Sequence, residues 1–528
     1  MKNFVSVAIA AAFSAFVVPG SVAGAAAQTL NLAVGAPVTS LDPHYHALSP
    51  NYAVADMLFD SLTAFDAQAR VQARLAESWK PVAENVWEFK LRPNVTFHNG
   101  NAFTAEDVAF TIARVPTVPN SPSSYGIYTR AIQRVEVVDP LTVRFHTNGP
   151  YPLLPVDLGQ IQMLDSETHA NPLTEDFNSG KLAIGTGPFR VLSHRIGNRI
   201  EYGRNDAYFG PRPHWERVNY QMITNDAART AALLSGDVDF IDQVPTSDIA
   251  KLRGDNRVQL SEANGLRLIF LALDHSRDTA SPFTFDNDGK PLPRNPLRDV
   301  RVRRALSMSI DRQAITDRVM EGASLPSTQL LPPTAFGALP DRTAGRADAD
   351  TAKRLLAEAG YPNGFRITLH GPNDRYMNDS RIIQAVGQMW TRIGIRTSIE
   401  AQPWATFVAR AGRQELSAML VGWGTSSGEP TSPLRSLLAT YNAQRGFGGS
   451  NRGRYSNPAM DAKMEEALRT LDDTKREALL REATTLAMDD VGIIPIHIQK
   501  NIWAMRRGLR HEARADELTR AQDIQPAP

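Results

Sequence analysis

Gly424-Thr425-Ser426-Ser427-Gly428 has the G-x-S-x-G spelling of a nucleophile elbow, and Asp461 and His497 follow in the order a serine hydrolase uses. An elbow needs a strand before the serine and a helix directly after it. Leu416 to Trp423 supplies the strand, but Pro430 and Pro433 follow at once, and no His-Gly-Gly oxyanion segment lies upstream. The segment therefore reads as a Gly/Ser loop, and a secreted hydrolase using Ser426 stands as the rival from a different class. His44 and His46, two apart in an expected loop, lack the surrounding carboxylate–histidine cluster of a metal site and read as solvated or ligand-facing. Asp286-Asn287-Asp288-Gly289 starts like a calcium loop but has no Glu at its twelfth position. What remains is aromatic. Trp404 follows Gln402-Pro403 at one predicted strand end, and Trp423 closes another and opens the Gly/Ser loop. Aromatic walls with a few polar groups suit a small-molecule or peptide pocket. Pattern alone leaves two buried core tryptophans as the other reading.

The elements that must position these residues are mixed. Trp87, Phe89 and Leu91 alternate with Glu88, Lys90 and Arg92, the period of a half-buried strand. Thr104-Ala105-Glu106-Asp107 opens a helix as a capping box. Hairpins are expected around Asp139-Pro140 and Gly197-Asn198. In the second half, Ala349 to Ala359 reads as a helix ended by Gly360, and Ile382 to Ile393 as another with one apolar face. The strand Ile395 to Ile399 follows, then helices over Asn457 to Leu471 and Lys475 to Met488, and the apolar run Ile493 to Ile498. Such alternation predicts an α/β chain with partly parallel sheets. Asp274 to Pro296, after the apolar strand Leu268 to Leu273, is expected to be a long surface loop at a lobe boundary, and Asp523 to Pro528 a frayed tail.

The chain has 528 residues, 42% hydrophobic and 21% charged, with 57 Lys+Arg against 56 Asp+Glu. That length calls for two or three globular units. A net charge of +1 gives no field for nucleic acid or an anionic membrane. The absence of cysteine excludes disulfides, Fe–S clusters, Cys-based zinc sites and a lipid-anchored N-terminal cysteine. Lys2, the apolar stretch Phe4 to Val18, the Pro19-Gly20 break and Ala25-Ala26-Ala27 read as a signal peptide cleaved after Ala27, leaving a soluble exported protein.

A series of segments, kept in one order, resembles the extracellular solute-binding proteins of family 5, receptors for ABC importers of oligopeptides, dipeptides and nickel chelates. They are Leu75-Ala76-Glu77-Ser78-Trp79, Phe89 to Gly100 with Thr104 to Val108, and Gly185-Thr186-Gly187-Pro188-Phe189. Asp299 to Leu306 with Ile310-Asp311-Arg312, Leu355 to Pro362, Tyr455-Ser456-Asn457-Pro458 and Ile494-Pro495-Ile496 complete the set. The resemblance implies a two-lobed periplasmic-binding-protein type II fold, with an extra subdomain on the first lobe and a two-strand hinge near Leu271 and Ile494. It implies a signal peptide over 1–27, lobe I over 28–65 and 184–272, the extra subdomain over 66–183, lobe II over 273–493, and a return to lobe I with a tail over 494–528. It also implies no catalysis, cofactor or resident metal. The partners would be a peptide or peptide-like ligand and inner-membrane permease subunits, met by a periplasmic monomer.

Peptide receptors of this family carry Trp, two small residues and an Asp for the peptide amine. Here Trp423-Gly424-Thr425 is followed by Ser426, while Glu429-Pro430-Thr431-Ser432 keeps the framework. A buried ammonium would lose its counter-charge at such a site. Peptide-like solutes with a blocked amine, glycosides and nickel or iron chelates therefore stand beside simple peptides. The expected ligand-facing residues are Trp404, Trp423, Gly424 and Ser426, with Tyr45 and Tyr125 added from the first lobe.

Overall fold

A computed structural model describes residues 28–425 and 427–528. The expected signal peptide and Ser426 lie outside the described residues. Two antiparallel strands, Val258–Leu273 and Ile494–Arg506, run through the centre of a 12-stranded sheet. On one side follow Phe240–Ile241, Thr29–Val34, Arg217–Met222 and the hairpin Arg199–Arg204 with Phe189–Arg195. On the other lie Ala418–Gly424, Arg366–Pro372 and Arg396–Gln402. The molecule is thus an α/β protein of two lobes joined through this strand pair.

The central pairing runs from Val258↔Arg506 to Leu271↔Ile494 and shifts register between Asn264 and Leu268. Gly265 sits inside that break, where an added Cβ would meet the Gln499 carbonyl oxygen at 2.6 Å. Only glycine lets the two backbones approach so closely. The strands extend well beyond the apolar runs Leu268 to Leu273 and Ile493 to Ile498. Beyond them, Gln259 to Asn264 of the first strand is largely polar and mostly half-buried, so no apolar alternation marks it, whereas the second strand runs on to the buried Ile502, Trp503, Ala504 and Met505.

Lobe II is built from parallel units. The helix Asp379–Arg392 connects the strands Arg366–Pro372 and Arg396–Gln402, which pair in parallel, and the helix Trp404–Gly412 leads on to Ala418–Gly424. Ile382, Ile383, Val386 and Trp390 form the buried face of the first helix, and Trp390 Nε1 donates to the Leu306 carbonyl at 3.1 Å. The helix Ala349–Glu358 starts at Asp348, whose carboxylate accepts from Thr351 N–H at 2.9 Å. Its exit turns at Gly360, in the left-handed region at φ +92.

The separate four-stranded sheet Ala76–Ala83, Val86–Leu91, Thr142–Thr147, Ile132–Asp139 is covered by the capped helix Ala105–Arg114. Trp87, Phe89 and Leu91 point into its core while Glu88 and Lys90 point away. The C-terminus corrects the expectation of a frayed tail. Ile524–Pro526 pairs with Leu509–His511, and Trp215 Nε1 donates to the Ile524 carbonyl at 2.6 Å. Ile524 is a buried apolar anchor, and Asp523 is held by Arg520, so this end has the contacts to stay folded.

Candidate functional site

Three parallel strands of lobe II end at one crevice. The loop after Pro372 presents Arg375 and Tyr376, the turn after Gln402 presents Trp404, and Ala418–Gly424 closes with Trp423 and Gly424. Ligands of open α/β sheets collect beyond the carboxyl ends of their strands, and this crevice follows that rule. Its far wall is lobe I, with Ser49, Tyr52 and Asp56 from the helix Ser49–Leu58 and Gln160 and Gln162 beyond it. Leu266, Arg267 and Phe270 of the central strand form the floor, and the C-terminal segment adds Arg514, Asp516, Glu517 and Arg520. The cavity, open on one side, holds about 390 Å³.

Its charges divide into committed and uncommitted groups. Each lining carboxylate already has an arginine: Asp56 with Arg520, Asp516 with Arg514, and Glu517 with Arg267 at 2.8 Å. Glu517 also accepts from Ser49 Oγ at 2.7 Å, and the guanidinium of Arg267 holds its carboxyl below the usual range against the opposing effect of burial. Arg375 and Arg452 pair with no carboxylate among the described residues. Arg375 lies instead beside aromatic faces, its guanidinium carbon 5.4 Å from the Trp404 ring centre and 5.8 Å from that of Tyr376. Burial pushes Arg452 below its ordinary pKa, yet an arginine so placed stays protonated. The cavity therefore offers two free guanidinium groups, apolar aromatic walls and no uncommitted carboxylate.

Aromatic positions are fixed by their own bonds. Trp404 N–H donates to Asp374 Oδ1 at 2.7 Å, Trp423 Nε1 donates to Ser432 Oγ at 3.1 Å, and Tyr376 stands edge-on to Trp404 at 5.9 Å.

Of the residues expected to face a ligand, Trp404, Trp423 and Gly424 border the cavity. Ser426 is outside the described residues. Tyr125 is 1% exposed in the core of the extra subdomain, edge-on to Tyr52 at 5.2 Å, so Tyr52 and not Tyr125 meets the cavity. Tyr45 is half-buried, with its carbonyl accepting from Ser121 Oγ at 2.6 Å, and is not among the lining residues. Arg375, Tyr376, Arg452, Tyr52 and the C-terminal carboxylates were not anticipated. Arg375 follows the end of the strand Arg366–Pro372, a strand not expected from the sequence.

The other chemical candidates fall into structural roles. His44 is fully buried between Arg114 and the Gln162 carbonyl, and burial, with the Arg114 charge adding, pushes its pKa down to about 3. It is neither solvated nor ligand-facing, because Arg114 and Asp42 enclose it. His46 bonds Thr39 Oγ1 at 3.0 Å. His497 is buried within the strand Ile494–Arg506, and Asp461 binds the N–H of Thr440 at 3.1 Å, so these two do not form a relay. Glu429 is buried in an ion pair with Arg476 and does not border the cavity. Asp286 accepts from the backbone of Asp288 and Lys290, an ordinary turn.

Comparison with known proteins gives a consistent picture. The profile described as "Bacterial extracellular solute-binding proteins, family 5 Middle" matches residues 70–445. Heme-binding protein A of Haemophilus influenzae is 29% identical over 459 residues, covering 81% of this chain and 78% of that protein. The dipeptide-binding protein of Escherichia coli is 27% identical over 445 residues, covering 79% and 78%. Among solved structures, HbpA2 from Haemophilus parasuis superposes with a TM-score of 0.80 at 24% identity, over 95% of this chain and all of that one (100%).

Proposed function

The chain belongs to the bacterial extracellular solute-binding proteins of family 5, and from that premise we propose that it is the periplasmic receptor of an ABC importer for an anionic peptide or peptide-like solute. It would capture the solute by closing its lobes and deliver it to inner-membrane permease subunits, as a monomer and without catalysis, after cleavage near Ala27. The hinge lies on this strand pair near Leu271 and Ile494, where the register shifts between Asn264 and Leu268 and again between Ile269 and Phe270 support bending, and the lobes divide as 28–65, 66–183, 184–272, 273–493 and 494–528. Ligand contacts from both lobes then favour the closed form.

One observation carries the choice of ligand. Arg375 and Arg452 face the cavity without carboxylate partners, while every lining carboxylate is already bound to an arginine. A guanidinium fork beside two aromatic rings suits a solute carboxylate with an apolar neighbour. The dipeptide-binding name of one relative supports a peptide frame. A chelate or another non-peptide solute bearing a carboxylate would meet the same guanidinium groups, and the peptide frame rests on the relatives named as peptide-binding.

The test is calorimetric binding of one peptide as its free acid and as its C-terminal amide, to wild type and to Arg375→Gln. Wild type should bind the amide about tenfold more weakly, near 1.4 kcal/mol. The variant should lose that discrimination. Equal binding of acid and amide by wild type would overturn the carboxylate assignment. Native mass spectrometry of freshly purified protein would identify a retained ligand directly.

A further inference from the structure

Lobe II carries a second cavity of about 410 Å³, and no residue lining it borders the inter-lobe crevice. It lies between the helix Val300–Met308, the turn that follows, the loop carrying Thr328 and Arg342, and the end of the helix Asp473–Asp489. Arg304, Arg312 and Arg342 line it, with Asp489 as the lone carboxylate of the lining.

Arg312 is 5% exposed. Its guanidinium donates to the Pro495 carbonyl at 2.8 Å, the Ser307 carbonyl at 3.1 Å and Ser307 Oγ at 2.9 Å, all neutral acceptors. Arg342 takes the carboxylate, with Nη1 at 2.6 Å from Asp489 Oδ1 and Nε at 3.2 Å from the Thr328 carbonyl. Arg304 reaches only the backbone carbonyl of Asp489, at 3.0 Å. Of the three positive charges lining the cavity, one is therefore neutralised. A structural role as a clamp between helix end and strand accounts for Arg312. Arg304 and Arg342 both reach Asp489 at the end of the helix Asp473–Asp489, which leaves three guanidinium groups around one hollow with a single carboxylate. Like charges gathered around one hollow repel one another, most at the buried Arg312, and an anion entering it would relieve that repulsion.

We infer that this cavity is a second binding site, for a phosphate-type oxyanion. One guanidinium fork satisfies a planar carboxylate, whereas three approaching from separate elements match oxygens distributed around a tetrahedral centre. The volume leaves room for a diphosphate or a phosphate ester. Because the site shares no lining residue with the crevice, it stands independently of the peptide reading.

Inorganic pyrophosphate is the probe. Its phosphorus resonance would be followed during titration of the purified protein, with wild type compared with Arg304→Gln, Arg342→Gln and the crevice variant Arg375→Gln. Saturable binding is expected for wild type, and saturable binding is expected to persist in Arg375→Gln, where any contribution of the crevice is weakened. Arg304→Gln, at an exposed helix position where folding is not at risk, should weaken binding by about tenfold, and Arg342→Gln likewise. Absence of saturable binding, equal affinity in Arg304→Gln and wild type, or loss of binding in Arg375→Gln would each overturn the assignment.

Discussion

At the scale of single residues, the cavity is defined by what each charge already holds. Trp404 carries both an apolar face for the solute and the cation–π partner of Arg375. Its replacement by Ala should weaken peptide binding by more than about 1 kcal/mol, measured by calorimetry on protein whose circular dichroism shows the fold intact. The resemblance aligns Ser426, three residues after Trp423, with an amine-binding carboxylate of peptide receptors; on that reading Ser426→Asp should raise affinity for a peptide with a free amine over its acetylated form. Wild type that already prefers the free amine by about tenfold would show that another group anchors it. The two tryptophans were legible because aromatic residues at predicted strand ends stand out in an alternating pattern. Arg375 and Arg452 were not, because a cavity arginine has the same sequence appearance as an arginine on a solvated face. The distinction is the missing carboxylate partner, which exists only in three dimensions.

Elements differ in how plainly the sequence announces them. The capped helix Ala105–Arg114, the helix Asp379–Arg392 and the strand Val86–Leu91 follow directly from caps and apolar spacing. The segment Gln259 to Asn264 of the first central strand is invisible to the same rules, since its backbone is ordered by pairing with Lys500 to Met505 and not by burial of alternating side chains. The C-terminal segment was misread for a related reason: its order comes from one buried isoleucine, an Arg520–Asp523 pair and a three-residue strand. Deletion of residues 523–528 should therefore lower the melting temperature and also weaken ligand binding, because Glu517 and Arg520 of the cavity wall lie on the segment it anchors. A fully stable truncated protein with unaltered affinity would show that the segment is dispensable.

For the whole molecule, the lobes meet around charge as well as around solute. Burial pushes the carboxyl of Asp157, on lobe I, up to about 7, the Glu429 carboxylate of lobe II adding to the rise; the Tyr151 hydroxyl bond and Arg435 oppose it. In the unfolded chain the group ionises near 3.8. Between about pH 4 and pH 7 the unfolded chain has released a proton that the folded one retains, so this contribution is greatest at the acid end and declines as pH rises. Asp157→Asn should flatten that decline in a series of thermal melts, and parallel curves for both proteins would reject it. The same sheet also dictates an order of events during synthesis. Thr29–Val34 is separated from Ile494–Arg506 by nothing but the two-residue strand Phe240–Ile241. The earliest strand of lobe I thus waits for nearly the last before its sheet is complete. At about 5–20 residues per second, that wait is on the order of half a minute or longer. Throughout it the growing polypeptide has the sheet of its first lobe unfinished, with an open strand edge of the kind that aggregates in partly folded chains.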